Sequence, residues 1–172
     1  NDIVSATLNE LQGLYDGNNR DLVEPRKLQQ SLVRERHRRF GAFEVSLLLR
    51  PSGHVGGDLV GFFPIGPTRF AVYGIDVSGH GITSAMMTAR VAAYLSGTQP
   101  EQNVALTRDA SGGTCARPPG DVAQALNRIV LTEMATDAYL TLGYAEVDQS
   151  SGAMALVQAG HPNPAILRAD GR

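Results

Sequence analysis

A single cysteine, no tryptophan, five phenylalanines and five tyrosines stand in a chain of 172 residues. Cys115 has no internal partner for a disulfide, which fits a reducing, cytosolic setting and leaves it an ordinary loop thiol. Net charge is scarce as well. Fifteen Lys and Arg against seventeen Asp and Glu leave −2, which argues against a general binder of nucleic acid or of membrane surfaces. No apolar run approaches the roughly 20 residues that span a bilayer, and no secretory signal pattern opens the chain. The length is enough for one domain with a sizeable core.

Against this plain background, residues 56–81 are dense in signals. Gly56-Gly57-Asp58 leads into a β-rich run, Gly66-Pro67-Thr68 interrupts it, and a second run ends in Asp76-Val77-Ser78-Gly79-His80-Gly81. Two such runs about a Gly-Pro turn predict a hairpin. Asp58 and Asp76 each lie nine residues from Pro67, so pairing in that register sets the two carboxylates opposite each other at the open end. Cross-strand partners have Cβ atoms about 4.5–5.5 Å apart, and like charges that close repel and raise a pKa unless a cation lies between them. A hard divalent cation, Mg²⁺ or Mn²⁺, suits carboxylate oxygens. The flanking glycines leave room for it and for a substrate. A one-residue slip would put the pair on opposite faces. The same residues also read as simple turn chemistry, in which the aspartates only cap strand ends.

The rest of the chain is read in order. Val4, Leu8, Leu11 and Tyr15 form the stripe of a helix over residues 2–15. A second helix is expected over 24–39, with Pro25 in its first turn, Leu28, Leu32 and Val33 as its apolar positions, and an arginine-dense C-terminal half. Residues 1–40 thus read as a helical signalling linker that could form a two-stranded coiled coil, and a homodimer through it is compatible with the stripe. A β-run follows over 43–50, and His54 sits in the loop before Gly56 as a solvated residue or a ligand. Residues 82–95 predict an amphipathic helix rich in small residues, with Met86 and Met87 as core filler and Gly97 as its stop. Residues 97–120, rich in Gly, Pro, Ser and Thr, predict disorder or an adaptable flap. Asp121 and Gln124 predict a capping-box start to the next helix, with Val122, Ala125, Leu126, Ile129 and Val130 buried. Strands are expected over 139–147, 153–158 and 165–169. Strands, then helices, then strands predict an α+β fold with antiparallel sheets.

Val55-Gly56-Gly57-Asp58, Asp76-Val77-Ser78-Gly79-His80-Gly81 and Ala159-Gly160-His161-Pro162, in this order and at these distances, resemble the SpoIIE-like (RsbU-like) branch of bacterial metal-dependent protein phosphatases. Leu28-Gln29-Gln30-Ser31-Leu32 and Asn127 extend the match, which covers about residues 28–172. The resemblance implies a four-layer α-β-β-α sandwich, with the phosphatase domain over 41–172. It implies two Mn²⁺ or Mg²⁺ ions, with Asp58, Asp76 and the Val77 backbone carbonyl among their ligands and Gly57, Ser78 and Gly79 in the surrounding loops. The chemistry implied is in-line attack on phosphorus by a water that the two ions activate, with no protein nucleophile. Ser78 is then a loop-shaping hydroxyl, His80 a structural residue or an aid to the leaving group, and His161 a residue that fixes a loop between strands. The substrates implied are phosphoserine or phosphothreonine proteins, typically anti-sigma-factor antagonists of partner-switching pathways. An N-terminal receiver or sensor domain is implied as regulator, without nucleic acid or membrane and in the cytoplasm.

Two departures stand out. Many relatives carry an acid three positions after the Gly-Gly-Asp aspartate, where Gly61 stands here. The family's later motif, a Gly-Asp before an apolar run and then Thr/Ser-Asp-Gly, and a final aspartate, which supply further ligands, do not occur before Arg172, so we expect a piece of a longer protein, incomplete at its C-terminus. The competing expectation is a phosphatase-like interaction module without activity. A nucleotide cyclase, suggested by Gly-Gly-Asp alone, is set aside because Leu59-Val60 follows in place of an acidic continuation.

Overall fold

The computed structural model describes residues 23–33, 35–50, 55–96, 101–108, 112–134 and 137–170. The helix expected over 2–15 and His54 lie outside them. The elements are α1 (Val23–Leu32), β1 (His37–Phe40), β2 (Phe43–Ser46), β3 (Asp58–Ile65), β4 (Arg69–Val77), α2 (Ile82–Ala93), β5 (Leu106–Arg108), β6 (Thr114–Ala116), α3 (Pro119–Glu133), β7 (Leu140–Asp148) and β8 (Met154–Ala159). β3, β4, β7 and β8 form one antiparallel sheet in that order, and β1–β2 and β5–β6 are two-stranded antiparallel ribbons. The α+β architecture with antiparallel sheets and helices is as expected.

Alternation along the strands gives the sheet two different faces. Leu59, Phe63 and Ile65 of β3, Ala71 and Ile75 of β4, and Leu142 and Tyr144 of β7 point to one of them. There they meet Met87 and Val91 of α2 and Val122, Leu126 and Val130 of α3, the i, i+4 stripe of a helix laid on a sheet. The other face carries a smaller cluster at one end. Phe40 stacks on Phe70, centroids 4.4 Å apart, and meets Phe62 edge-on at 5.7 Å, so the β1–β2 ribbon covers that end alone. Asp58 and Asp76 lie at the opposite end of the same face.

Several local expectations are corrected. The helix expected over 24–39 stops at Leu32, and the arginine-dense part is strand β1, paired Arg38 to Val45 and Phe40 to Phe43. Burying Phe40 against Phe70 outweighs the helical reading of the arginines, and Gly41 supplies the turn with φ 58°. The run over 43–50 is regular strand only to Ser46, with one further bond from the Leu47 N–H to the Arg36 carbonyl at 2.8 Å.

The stretch 97–120 is neither a flap nor disordered in its described parts. Residues 106–108 and 114–116 pair as a ribbon, and the Asn103 side chain ties the Ala105 N–H at 2.9 Å to the Ser96 carbonyl at 3.2 Å. Helix α3 begins two residues before Asp121, with Pro118 at its N-cap and no side-chain cap, so the capping box does not form. Residues 165–169 are not a strand. Ile166 and Leu167 are exposed, and no described segment pairs with them.

Candidate functional site

The register that symmetry about Pro67 predicts is the one observed. Asp58 pairs with Asp76 across β3–β4, and Asp76 pairs with Thr141 across β4–β7. Three oxygen-bearing side chains therefore stand in one row across the sheet, on the face away from α2 and α3. Both aspartates are exposed. Partial desolvation and, secondarily, the Asp76 charge hold the Asp58 carboxyl above the usual carboxylate range, while His161 opposes the shift.

The loop that carries Asp58 is held through its backbone from three sides. The Gln29 amide of α1 donates to the Gly56 carbonyl at 2.6 Å and accepts from the Gly56 N–H at 3.1 Å. The Thr88 hydroxyl of α2 donates to the Gly57 carbonyl at 2.8 Å, and the Val77 N–H donates to the same oxygen at 3.1 Å. Gly57 lies against the backbone of Val77. A Cβ there would overlap the Val77 carbonyl oxygen, the atom named above as a candidate ligand, so only glycine fits.

The loop after Asp76 is shaped by Ser78, whose hydroxyl accepts from the Tyr139 N–H at 3.0 Å while its own N–H donates to the Tyr139 carbonyl at 2.8 Å. Gly79 and Gly81 take φ of 91° and 79°, and α2 starts directly after Gly81. His80 is exposed in the turn between them.

Thr141, Gly74, Gly143 and Gln158 belong to this site, and the reading of the sequence did not bring them to it. His161 does not merely fix a loop. Its ring lies against Gly74 and Gly143, which are cross-strand partners in mid-sheet. A Cβ on either glycine would stand 3.0 Å from a ring atom. His161 Nδ1 is 2.8 Å from the Thr141 hydroxyl, and the Gln158 side chain donates to the His161 carbonyl and holds the turn. The legible signal was a glycine inside each of two predicted strands, which marks a close approach. What approaches is visible only once β4 and β7 are paired. Gly61 is on the opposite, helix-facing side of β3, where the Tyr73 phenol fills the space a side chain would need. Burial there pushes the Tyr73 hydroxyl up to about 12.

Among the described residues no group of three or more His, Cys, Asp and Glu side chains converges on one point. The donors present are two facing carboxylates and a neighbouring backbone carbonyl, all hard oxygens, with one carboxyl raised by partial desolvation and by its partner's charge. That set fits the chemistry of a hard divalent cation and would supply only part of its coordination shell.

Residues 66–172, which include Asp76 and His161, match the family described as Stage II sporulation protein E (SpoIIE). The phosphoserine phosphatase RsbP of Bacillus subtilis (strain 168) is 30% identical over 123 residues. The match covers 69% of this chain and 27% of RsbP, so the chain spans about a quarter of that relative's length. The SiaA PP2C domain of Pseudomonas aeruginosa is alike in fold, with a TM-score of 0.60 over 84% of this chain and 55% of that one, at 17% identity.

Proposed function

The chain belongs to the Stage II sporulation protein E (SpoIIE) family, and we propose that it is a metal-dependent serine/threonine phosphoprotein phosphatase of bacterial signal transduction. The observation that carries this reading is the facing pair Asp58 and Asp76 at the open end of the β3–β4 hairpin. Those carboxylates, with the Val77 carbonyl, would hold Mn²⁺ or Mg²⁺, two ions in the complete site. Such ions neutralise phosphoryl oxygens and lower the pKa of water that attacks phosphorus. The chain's own residues prepare the place. Gly57 admits the close approach to Val77, Gly79 and Gly81 turn the loop at positive φ, Ser78 shapes the loop and does not attack, and Thr141 orients the His161 ring on the same face. The name of RsbP points to phosphoserine as the substrate group. Anti-sigma-factor antagonists of partner switching are the substrate class we favour. A receiver or sensor domain preceding the linker, a homodimer through that linker and a cytoplasmic setting complete the reading.

A second reading, an inactive interaction module, draws on the lack of a third converging side chain among the described residues. Hydrolysis of a generic phosphate ester by the full-length protein, with and without Mn²⁺, separates the two. Mn²⁺-dependent turnover that Asp76→Asn abolishes supports the phosphatase. A folded protein that is silent under both conditions supports the module.

A further inference from the structure

Helix α1 buries one of its ten residues completely, and that residue is an amide, Gln29, at 4% exposure. Leu28, beside it, is exposed, as is Val23. Leu32, three residues on, packs against the core and Val33 just past the helix is buried, so the amide is the polar member of the face that α1 turns inward. Burying an amide is unfavourable unless both ends are paired. Here they are. Nε2 donates to the Gly56 carbonyl at 2.6 Å and more weakly to the Asp58 carbonyl at 3.4 Å, and Oε1 accepts from the Gly56 N–H at 3.1 Å. The reciprocal pair with Gly56 also fixes which end of the amide is nitrogen. Gln29 thus binds the backbone of residues 56–58 as a neighbouring strand would, and it does so from 27 residues away.

We propose that Gln29 is a positioning residue for the Asp58 carboxylate. Through it, the seating of α1 and the occupation of the Asp58/Asp76 pair by a divalent cation strengthen each other. The Asp58 side chain leaves the backbone at the end of the segment that Gln29 clamps. When α1 is seated, Asp58 is presented to Asp76. When α1 withdraws, Gly56 loses both partners, and the segment keeps the Gly57 bonds to Thr88 and Val77 and the β3–β4 pairing that begins at Asp58. Linkage makes the coupling reciprocal, so a cation held between the carboxylates must tighten the hold on α1 by the same factor. The proposal rests on the metal-site reading given above. It adds a route by which a segment N-terminal to the domain acts on the site without touching substrate.

The test is Mn²⁺ binding to the full-length protein by titration calorimetry, for the natural sequence, Gln29→Met and Asp76→Asn, with hydrogen exchange of residues 23–32 measured with and without Mn²⁺. Outer residues that orient a ligand typically carry about 10–100-fold in metal affinity. Gln29→Met is therefore expected to weaken Mn²⁺ binding by at least about tenfold, while a merely structural role would lower thermal stability and leave affinity intact. In the unmutated protein Mn²⁺ is expected to slow exchange in α1, a readout that needs no variant to fold. Binding that Asp76→Asn abolishes and Gln29→Met leaves unchanged overturns the proposal alone. So does α1 exchange that ignores bound Mn²⁺. Failure of the unmutated protein to bind Mn²⁺ overturns the metal-site reading, and this proposal with it.

Discussion

The Thr141 hydroxyl and His161 Nδ1 lie 2.8 Å apart above a floor made of Gly74 and Gly143. The imidazole rests on the sheet because neither glycine has a Cβ. Gly74→Ala should therefore cost stability by about 1–3 kcal/mol, the usual range for overpacking. Most of that cost should vanish when His161→Ala removes the ring. Chemical denaturation of the four proteins of this cycle measures it. An equal cost in both backgrounds would show that backbone preference, and not the ring, demands glycine at position 74.

The facing aspartates make a prediction about each other. Partial desolvation is the larger cause of the raised Asp58 carboxyl, and the Asp76 charge is the next. Asp76→Asn should lower the Asp58 pKa yet leave it above the ordinary aspartate value, as followed by carbon NMR of the side-chain carboxyl. An Asp58 titration that ignores the substitution would mean that the two side chains point apart. The sign for stability follows from the direction of the shift. A carboxyl raised in the folded state holds its proton more tightly there than when unfolded. The metal-free protein therefore has this contribution at low pH and loses it as pH rises through the folded value.

Asp148 has the opposite sign. At the β7–β8 turn its carboxylate accepts from the Ser150 hydroxyl at 2.6 Å, the Ser151 N–H at 2.9 Å, and the Ser151 hydroxyl and Ser150 N–H, each at 3.0 Å. These bonds, the Ser150 hydroxyl foremost, hold the group well below the usual carboxylate range. Its contribution is present above the unfolded value of about 3.9 and is lost as pH falls towards the folded value. Asp148→Asn should flatten the acid limb of a melting-temperature profile and leave the neutral region nearly parallel. A limb of unchanged steepness would place the acid sensitivity elsewhere.

Ser78 separates loop shaping from nucleophilic attack. Ser78→Ala removes the acceptor for the Tyr139 N–H and should cost about 0.5–1.5 kcal/mol, the net worth of one hydrogen bond. Turnover of a phosphate ester should persist within a few-fold. A fall of several orders of magnitude, with the fold intact, would mean that the hydroxyl attacks phosphorus.

The hairpin was legible because its information is local. A Gly-Pro turn between two β-rich runs sets the register by chain connectivity, and register sets Asp58 opposite Asp76. Helices α2 and α3 were legible for a similar reason, since their apolar residues repeat at the helical period. Residues 37–40 misled because arginine tolerates either a helix end or a strand, and the deciding contact, Phe40 on Phe70, joins residues 30 apart. The ribbon of residues 106–108 and 114–116 was hidden by loop-like composition. It forms because Asn103 and Arg117 turn their polar groups back onto the chain, Arg117 Nε donating to the Val104 carbonyl at 2.8 Å.

The sequence by itself determined the paired aspartates, the glycines around them and the family, since each rests on neighbours in the chain. Tertiary structure alone decided the row that adds Thr141 to the aspartates, the seat of His161 over Gly74 and Gly143, and the amide clamp from Gln29 to Gly56. Each of these joins groups from separate elements. A glycine or a glutamine carries no local mark of the partner that packing the sheet against its helices and turns will bring to it.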